Sequence, residues 1–219
     1  MTEKRAKVIS VLNQKGGVGK TTIATNLAHG LVLENYKTLL VDGDPQGSAR
    51  DWHEANEGEI VPCLGMDRET LPQDLKSVWG AYDAIVIDGA PKIEKLASAA
   101  IRSSDVILIP VQPSQYDIWA TGDLVELIKH RQDICEGKPE AAFIISRMIK
   151  KTALSNEIEA SLIEYGFPVF ASKTSQMMAY MNSVDKGQSV FIHKRYMQAS
   201  IEFAWVVSEV ISRYLDIKI

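Results

Sequence analysis

The sequence predicts an α/β fold, a doubly wound and mainly parallel open sheet with helices on both faces. Three observations lead there. Apolar runs of strand length alternate with helical patterns along the chain. The runs are continuous rather than alternating, the pattern of strands buried on both faces. The 219 residues, 46% hydrophobic and 24% charged, are enough for one domain with a well-buried core. That composition excludes a disordered chain, a collagen-like fibre and a disulfide scaffold.

The elements follow in order. Lys7–Leu12 (KVISVL) is a first strand, and Lys20–Glu34 a helix with Ile23, Leu27 and Leu31 four apart on one face. Thr38–Asp42 is a second strand and Ile60–Gly65 a weaker third. Leu71–Gly80 reads as a short helix. Tyr82–Asp88 (YDAIVID) is a strong buried strand, followed by a helix over Ile93–Ser103 and the strand Asp105–Val111. Tyr116–Cys135 is one long helical stretch, and Ala141–Ser146 a strand. Leu154–Tyr165 is helical, Pro168–Ala171 a short strand, and Ser175–Lys186 and Ser200–Leu215 are helices.

Charge and cysteine content narrow the function classes. The net charge is -4, so contact with nucleic acid requires a local basic patch. Residues 1–140 carry a net -6 and residues 141–219 a net +2, which directs attention to the C-terminal third. Cys63 and Cys135 fit no metal-ligand spacing and read as reduced thiols. No apolar segment has the length of a signal h-region or a membrane span.

In doubly wound sheets ligands bind beyond the carboxyl ends of the strands, so the residues there carry the chemistry. The first strand runs into Asn13-Gln14-Lys15-Gly16-Gly17-Val18-Gly19-Lys20-Thr21-Thr22, a glycine-rich turn that opens a helix. Such a turn aims backbone N–H groups at an anion, and the helix N-terminus adds unpaired donors. Lys20 reaches phosphates and the Thr21 hydroxyl suits Mg²⁺. Gln14 stands where the strict GxxxxGK[ST] pattern has its first glycine, and a second lysine, Lys15, opens the loop. The second strand ends in Asp42-Gly43-Asp44-Pro45-Gln46, and the fourth in Ile85-Val86-Ile87-Asp88. The two carboxylates Asp42 and Asp44 suit metal-bound water and water positioning, and Asp88 matches a carboxylate that holds Mg²⁺ through water.

KGGVGKTT, DGDPQ and IVIDGAP together resemble the deviant Walker A ATPases of the ParA/MinD family, P-loop NTPases, over essentially the whole chain. The small ParA proteins without an N-terminal helix-turn-helix extension are the most similar, because the first strand starts at about Lys7. A single ATPase domain over residues 1–219 is expected. The resemblance implies that Lys15 is a signature lysine reaching a partner's phosphates across an ATP-sandwich dimer. Gly16, Gly17, Val18 and Gly19 would cradle phosphates, with Lys20, Thr21 and Thr22 completing the loop. Lys15, Lys20 and Asp44 would be catalytic, and Thr21, Asp42 and Asp88 would serve the metal. ATP and Mg²⁺ are the implied cofactors. Adenine is expected near Pro110, Pro113 and Arg147, where Arg147 either stacks on the purine or is a surface cation.

The resemblance also implies an ATP-dependent homodimer that binds nonspecific DNA in the cytoplasm, on the nucleoid. A centromere-binding or cargo-adaptor protein would stimulate hydrolysis and so move a plasmid, chromosome or protein cargo. Lys150, Lys151, Lys173, Lys186, Lys194 and Arg195 are the candidate DNA contacts, the alternative being solvated cations. The C-terminal helix has no basic face, which disfavours a MinD-like membrane anchor, and Trp119 and Trp205 read as core or interface residues. A metabolic ATP-dependent enzyme on the same fold is the remaining alternative.

Overall fold

The computed structural model describes residues 5–91, 94–149 and 153–215. Six parallel strands form one sheet: β1 (Lys7–Val11), β2 (Thr38–Gly43), β3 (Cys63–Gly65), β4 (Ala84–Gly89), β5 (Val106–Val111) and β6 (Glu140–Ile145). Their spatial order is β3-β2-β4-β1-β5-β6, so β1 lies inside the sheet between β4 and β5. Register aligns Val11 with Asp88, and Asp88 with Asp42, which brings the first, fourth and second strand ends level.

Helices cover both faces, as the unbroken apolar strands require. Alternate strand residues face opposite ways. Ile9, Val11, Leu40, Val86, Leu108 and Ile144 pack on one side, with α1 (Lys20–Leu33), α2 (Ser48–Ala55), α8 (Met178–Val184) and α9 (Met197–Tyr214). Val8, Leu39, Val41, Ile85, Ile87, Ile107 and Phe143 pack on the other. That second face is closed by α3 (Leu71–Asp74), α4 (Glu94–Ser103), α5 (Gln115–Trp119), α6 (Gly122–Ile134) and α7 (Ala153–Ile163). Each fully buried Leu or Ile contributes roughly 1.5–3 kcal/mol to folding.

Several expectations shift. The stretch read as one helix over Tyr116–Cys135 is two, α5 and α6, broken at Ala120 and Thr121. Gly122 has nothing to contact a Cβ and opens α6. The Leu71–Gly80 helix is one α turn followed by two 3-10 turns. The strand read at Pro168–Ala171 is a single bridge, Phe143 to Val169. Helix α2, with Ala49 and Trp52 buried, has no counterpart in the sequence reading, because its apolar face is only two residues wide. Trp119 and Trp205 do not enter the core; they are 62% and 64% exposed.

Candidate nucleotide site

The turn between β1 and α1 is shaped by glycine. Gly17 has φ 76° and Gly19 φ 95°, left-handed angles that side chains resist. Gly19 is also the N-cap of α1, and no side chain caps that helix, so its first N–H groups face outward. Val18 is buried beneath the loop.

Three residues not singled out in the sequence hold the loop in place. Asn13 Nδ2 donates to the Pro110 carbonyl (2.7 Å), and Asn13 Oδ1 accepts from the Lys15 N–H (2.8 Å). Gln112 Nε2 donates to the Gly17 carbonyl (2.9 Å) and the Ser146 hydroxyl to the Val18 carbonyl (2.8 Å). Gln112 and Ser146 directly follow β5 and β6, so the same strand-end rule that marks Asp42 and Asp88 could have found them.

Lys20 is 7% exposed, and its Nζ donates to the Lys15 carbonyl (3.0 Å). Burial pulls its ammonium below the usual lysine range, against the charges of Asp88 and Asp44. The Thr21 hydroxyl donates to Asp88 Oδ2 (2.6 Å). Asp88 Oδ1 is buried and has no hydrogen-bond partner among the described residues. Burial pushes this carboxyl up to about 7, with the Thr21 hydrogen bond pulling the other way and Asp42 adding to the rise. A half-buried hydroxyl beside a buried carboxylate with a spare oxygen suits a hard cation. No group of three or more His, Cys, Asp or Glu able to cage a metal occurs among the described residues.

Asp42 lies level with Asp88 at the strand ends, and both of its oxygens are already engaged within the chain. It is fully buried, and its Oδ1 accepts from the Asp44 N–H (3.0 Å). Its Oδ2 accepts from the N–H groups of Ala49 (3.1 Å) and Arg50 (2.9 Å) and from Arg50 Nε (3.4 Å). Both oxygens are engaged in holding the Asp44 turn and the start of α2. Asp44 is half-buried beyond β2, its Oδ1 accepting from the Gln46 N–H (3.0 Å).

Lys15 points away from Lys20. Its Nζ lies 2.9 Å from Asp117 Oδ1 on α5, a carboxylate 4% exposed. Asp117 was not among the sequence candidates, because an isolated Asp inside a helical pattern carries no signal.

Beside the loop lies a cavity of about 310 Å³, lined on one side by Gly19, Thr22 and Ile23 and opposite by Ser146, Arg147 and the segment 174–177. Tyr180, Met181 and Phe203 close it. Its size is at the lower end for small-molecule sites, about 300–1,000 Å³. Arg147 sits on this wall with φ 53°, a strained left-handed conformation for a non-glycine residue. Pro110 and Pro113 are not among the residues lining this cavity, and the Pro110 carbonyl in β5 accepts from Asn13 Nδ2. Residues 174–177 precede α8 as an irregular segment rather than belonging to a helix from Ser175, which is why the sequence reading passed over them.

The candidate DNA contacts differ in exposure and pairing. Lys150 and Lys151 lie outside the described residues. Lys173 is paired with Glu159 (2.6 Å), its side chain 19% exposed. Lys186, Lys194 and Arg195 are exposed, with Arg195 stacked 4.7 Å over the Tyr196 ring. Cys63 and Cys135 are free thiols, and burial raises Cys63 to about 12. Among the described residues no helix is long and apolar enough to cross a membrane.

Comparison with known proteins identifies the family and the fold. The CobQ/CobB/MinD/ParA nucleotide binding domain matches residues 9–190. The maintenance of carboxysome distribution protein A of Halothiobacillus neapolitanus is 32% identical over 216 residues, covering 96% of this chain and 99% of that protein. The structure of a singly substituted Cyanothece McdA in complex with ATP superposes with a TM-score of 0.73 at 18% identity, over 98% of this chain and 100% of that one. The septum site-determining protein MinD of Pyrococcus horikoshii, complexed with Mg-ADP, gives 0.70 at 19% identity, over 91% and 94%. The chain belongs to the ParA/MinD family of deviant Walker A nucleotide-binding ATPases.

Proposed function

We propose that this chain is a positioning ATPase that uses Mg²⁺–ATP to switch between a monomer and a DNA-bound homodimer. The observation that carries the reading is the pair of lysines on one phosphate loop: Lys20 turned inward beside Thr21 and Asp88, Lys15 turned outward onto Asp117. A P-loop that acted alone would need only the inward lysine. The outward one suits phosphates bound by a second copy. Tyr116 and Trp119, exposed on either side of Asp117 and in edge contact with each other, offer that copy an apolar surface.

Within one protomer the backbone of residues 16–19 and Lys20 bind the triphosphate. Thr21 and Asp88 would hold Mg²⁺, which neutralises charge on the phosphate oxygens when bound. Asp44, whose charge already bears on Lys20, orients the attacking water. The cavity between Arg147 and Tyr180 takes the base. Phosphoryl transfer rests mostly on positioning and electrostatics, so no strong base is required and turnover is slow until a partner protein completes the site.

The similarity to a carboxysome-distribution protein favours a protein assembly as the cargo, with a cargo-adaptor as the stimulating partner. Nucleoid DNA serves as the track. Lys186, Lys194 and Arg195 supply exposed cations for phosphate contacts that read no sequence. Retention on nonspecific double-stranded DNA over a salt series tests this. Binding with ATP–Mg²⁺, weakening steeply with salt and absent with ADP–Mg²⁺, is expected. ATP binding without DNA retention in any state contradicts it, and retention on anionic liposomes instead would move the reading to a membrane-associated ATPase.

A further inference from the structure

Helix α9 carries two glutamates seven residues apart, Glu202 and Glu209. At 3.6 residues per turn they share one face. That face runs beside the irregular segment 171–175, and the two carboxylates clamp it. Glu209 accepts from the N–H groups of Ala171 (3.0 Å) and Ser172 (2.8 Å) and from the Ser172 hydroxyl (2.5 Å). Glu202 accepts from the Ser175 N–H (2.6 Å), the Ser175 hydroxyl (2.6 Å) and the Tyr180 hydroxyl (2.8 Å).

The two clamps differ in what they reach. Glu209 holds residues outside the cavity. Both residues held by Glu202 line the cavity, as does Phe203, its neighbour on α9. On its other side the segment is pinned to the end of β6: Thr174 N–H donates to the Ile145 carbonyl (3.0 Å) and Met148 N–H to the Thr174 carbonyl (2.8 Å). The part of the cavity wall at 174–180 is therefore fixed at two points, β6 and Glu202. Burial and the Glu202 carboxylate hold the Tyr180 phenol above its ordinary range, so it stays a proton donor. Without Glu202, the Ser175 N–H and the Tyr180 hydroxyl lose their acceptor and the wall keeps a single anchor.

Base discrimination depends on polar groups held at fixed places, because a misplaced group rejects nothing. We propose that Glu202 is a positioning residue for base selection: by fixing Ser175 and Tyr180 it sets the preference for adenine over guanine in the cavity. The proposal rests on the base-site reading given above.

The test is equilibrium binding of ATP, GTP and inorganic tripolyphosphate, with Mg²⁺, to the full chain. Wild type is expected to prefer ATP over both. Glu202→Ala is expected to lose at least tenfold of the ATP-over-GTP preference while tripolyphosphate affinity changes less than twofold. Glu202→Gln keeps an acceptor for Ser175 N–H and Tyr180 and is expected to restore the preference. Glu209→Ala, which loosens the segment outside the cavity, is expected to leave it intact. An unchanged preference in Glu202→Ala, or an equal loss for tripolyphosphate, overturns the proposal. Where Glu202→Ala does not fold, Tyr180→Phe carries the test, with at least a threefold loss expected and no loss contradicting it. Photolabelling of wild type with 8-azido-ATP separates the two readings: label on residues 174–181 supports the base site. Label elsewhere defeats that site and the Glu202 proposal with it, whereas an unchanged preference in Glu202→Ala defeats the Glu202 proposal alone.

Discussion

Lys15 and Asp117 form an ion pair of 2.9 Å within one chain, the lysine 39% exposed and the carboxylate almost fully buried. The pair holds the loop-opening lysine away from the phosphate cradle that Lys20 enters. If Lys15 serves a second copy, this contact must break first, and the buried carboxylate is left unpaired. Asp117→Asn removes that penalty. The variant is expected to form the ATP-dependent dimer about tenfold more readily, equivalent to roughly 1.4 kcal/mol. Dimerisation measured by light scattering against ATP concentration checks this, and a weaker dimer would show that Asp117 acts in the assembled state instead.

Asp42 and Asp44 separate structure from chemistry within three residues. Asp42→Ala strips the acceptor from three backbone N–H groups and from Arg50. A loss of about 3 kcal/mol in urea unfolding is expected. Asp44→Ala removes a half-buried side chain whose hydrogen bond to the Gln46 N–H is a local turn contact. It is expected to unfold within about 0.5 kcal/mol of wild type, to bind ATP, and to lose nearly all turnover. Normal hydrolysis by Asp44→Ala would remove its proposed role.

Asp88 gives the nucleotide-free protein a pH dependence of definite sign. Its folded value is raised from 3.8 to about 7, so between these values the folded chain holds more protons than the unfolded one. Stability therefore falls as pH rises through that window, and the full penalty is present above it. Asp88→Asn is expected to raise the melting temperature by several degrees at pH 8 and by little at pH 4, measured without nucleotide. With Mg²⁺ and nucleotide the order should reverse, because wild type gains more from the ligands. An Asn variant no more stable at pH 8 would contradict the burial argument.

Gly30 lies mid-helix in α1, where Ala is ordinarily better by about 1 kcal/mol. Here a Cβ would run into Val207 of α9, with Phe191 also close. Gly30→Ala is expected to destabilise the fold by 1–3 kcal/mol, roughly the range for overpacking. A stabilised variant would show that α9 shifts freely on α1.

The sheet was readable in the sequence because β1, β2, β4, β5 and β6 are unbroken apolar runs, and their ends fall within two residues of the predicted ones. The phosphate loop was readable because glycine spacing at a strand-to-helix turn has few other uses. What escaped depends on distance in sequence. Asp117 meets Lys15 across about a hundred residues, and the cavity wall at 174–181 meets Gly19 across more. The partners of Asp42 escaped for a related reason: composition at a strand end does not reveal which N–H groups of α2 will occupy its oxygens.

The most direct test of the switch is the mass of the full chain in solution by sedimentation velocity, with Mg²⁺ and a slowly hydrolysed ATP analogue, with Mg²⁺–ADP, and without nucleotide. The account predicts a dimer with the triphosphate alone and a monomer for Lys15→Ala in every state, with triphosphate affinity retained. A mass that ignores nucleotide, or a Lys15→Ala dimer as strong as wild type, would contradict it.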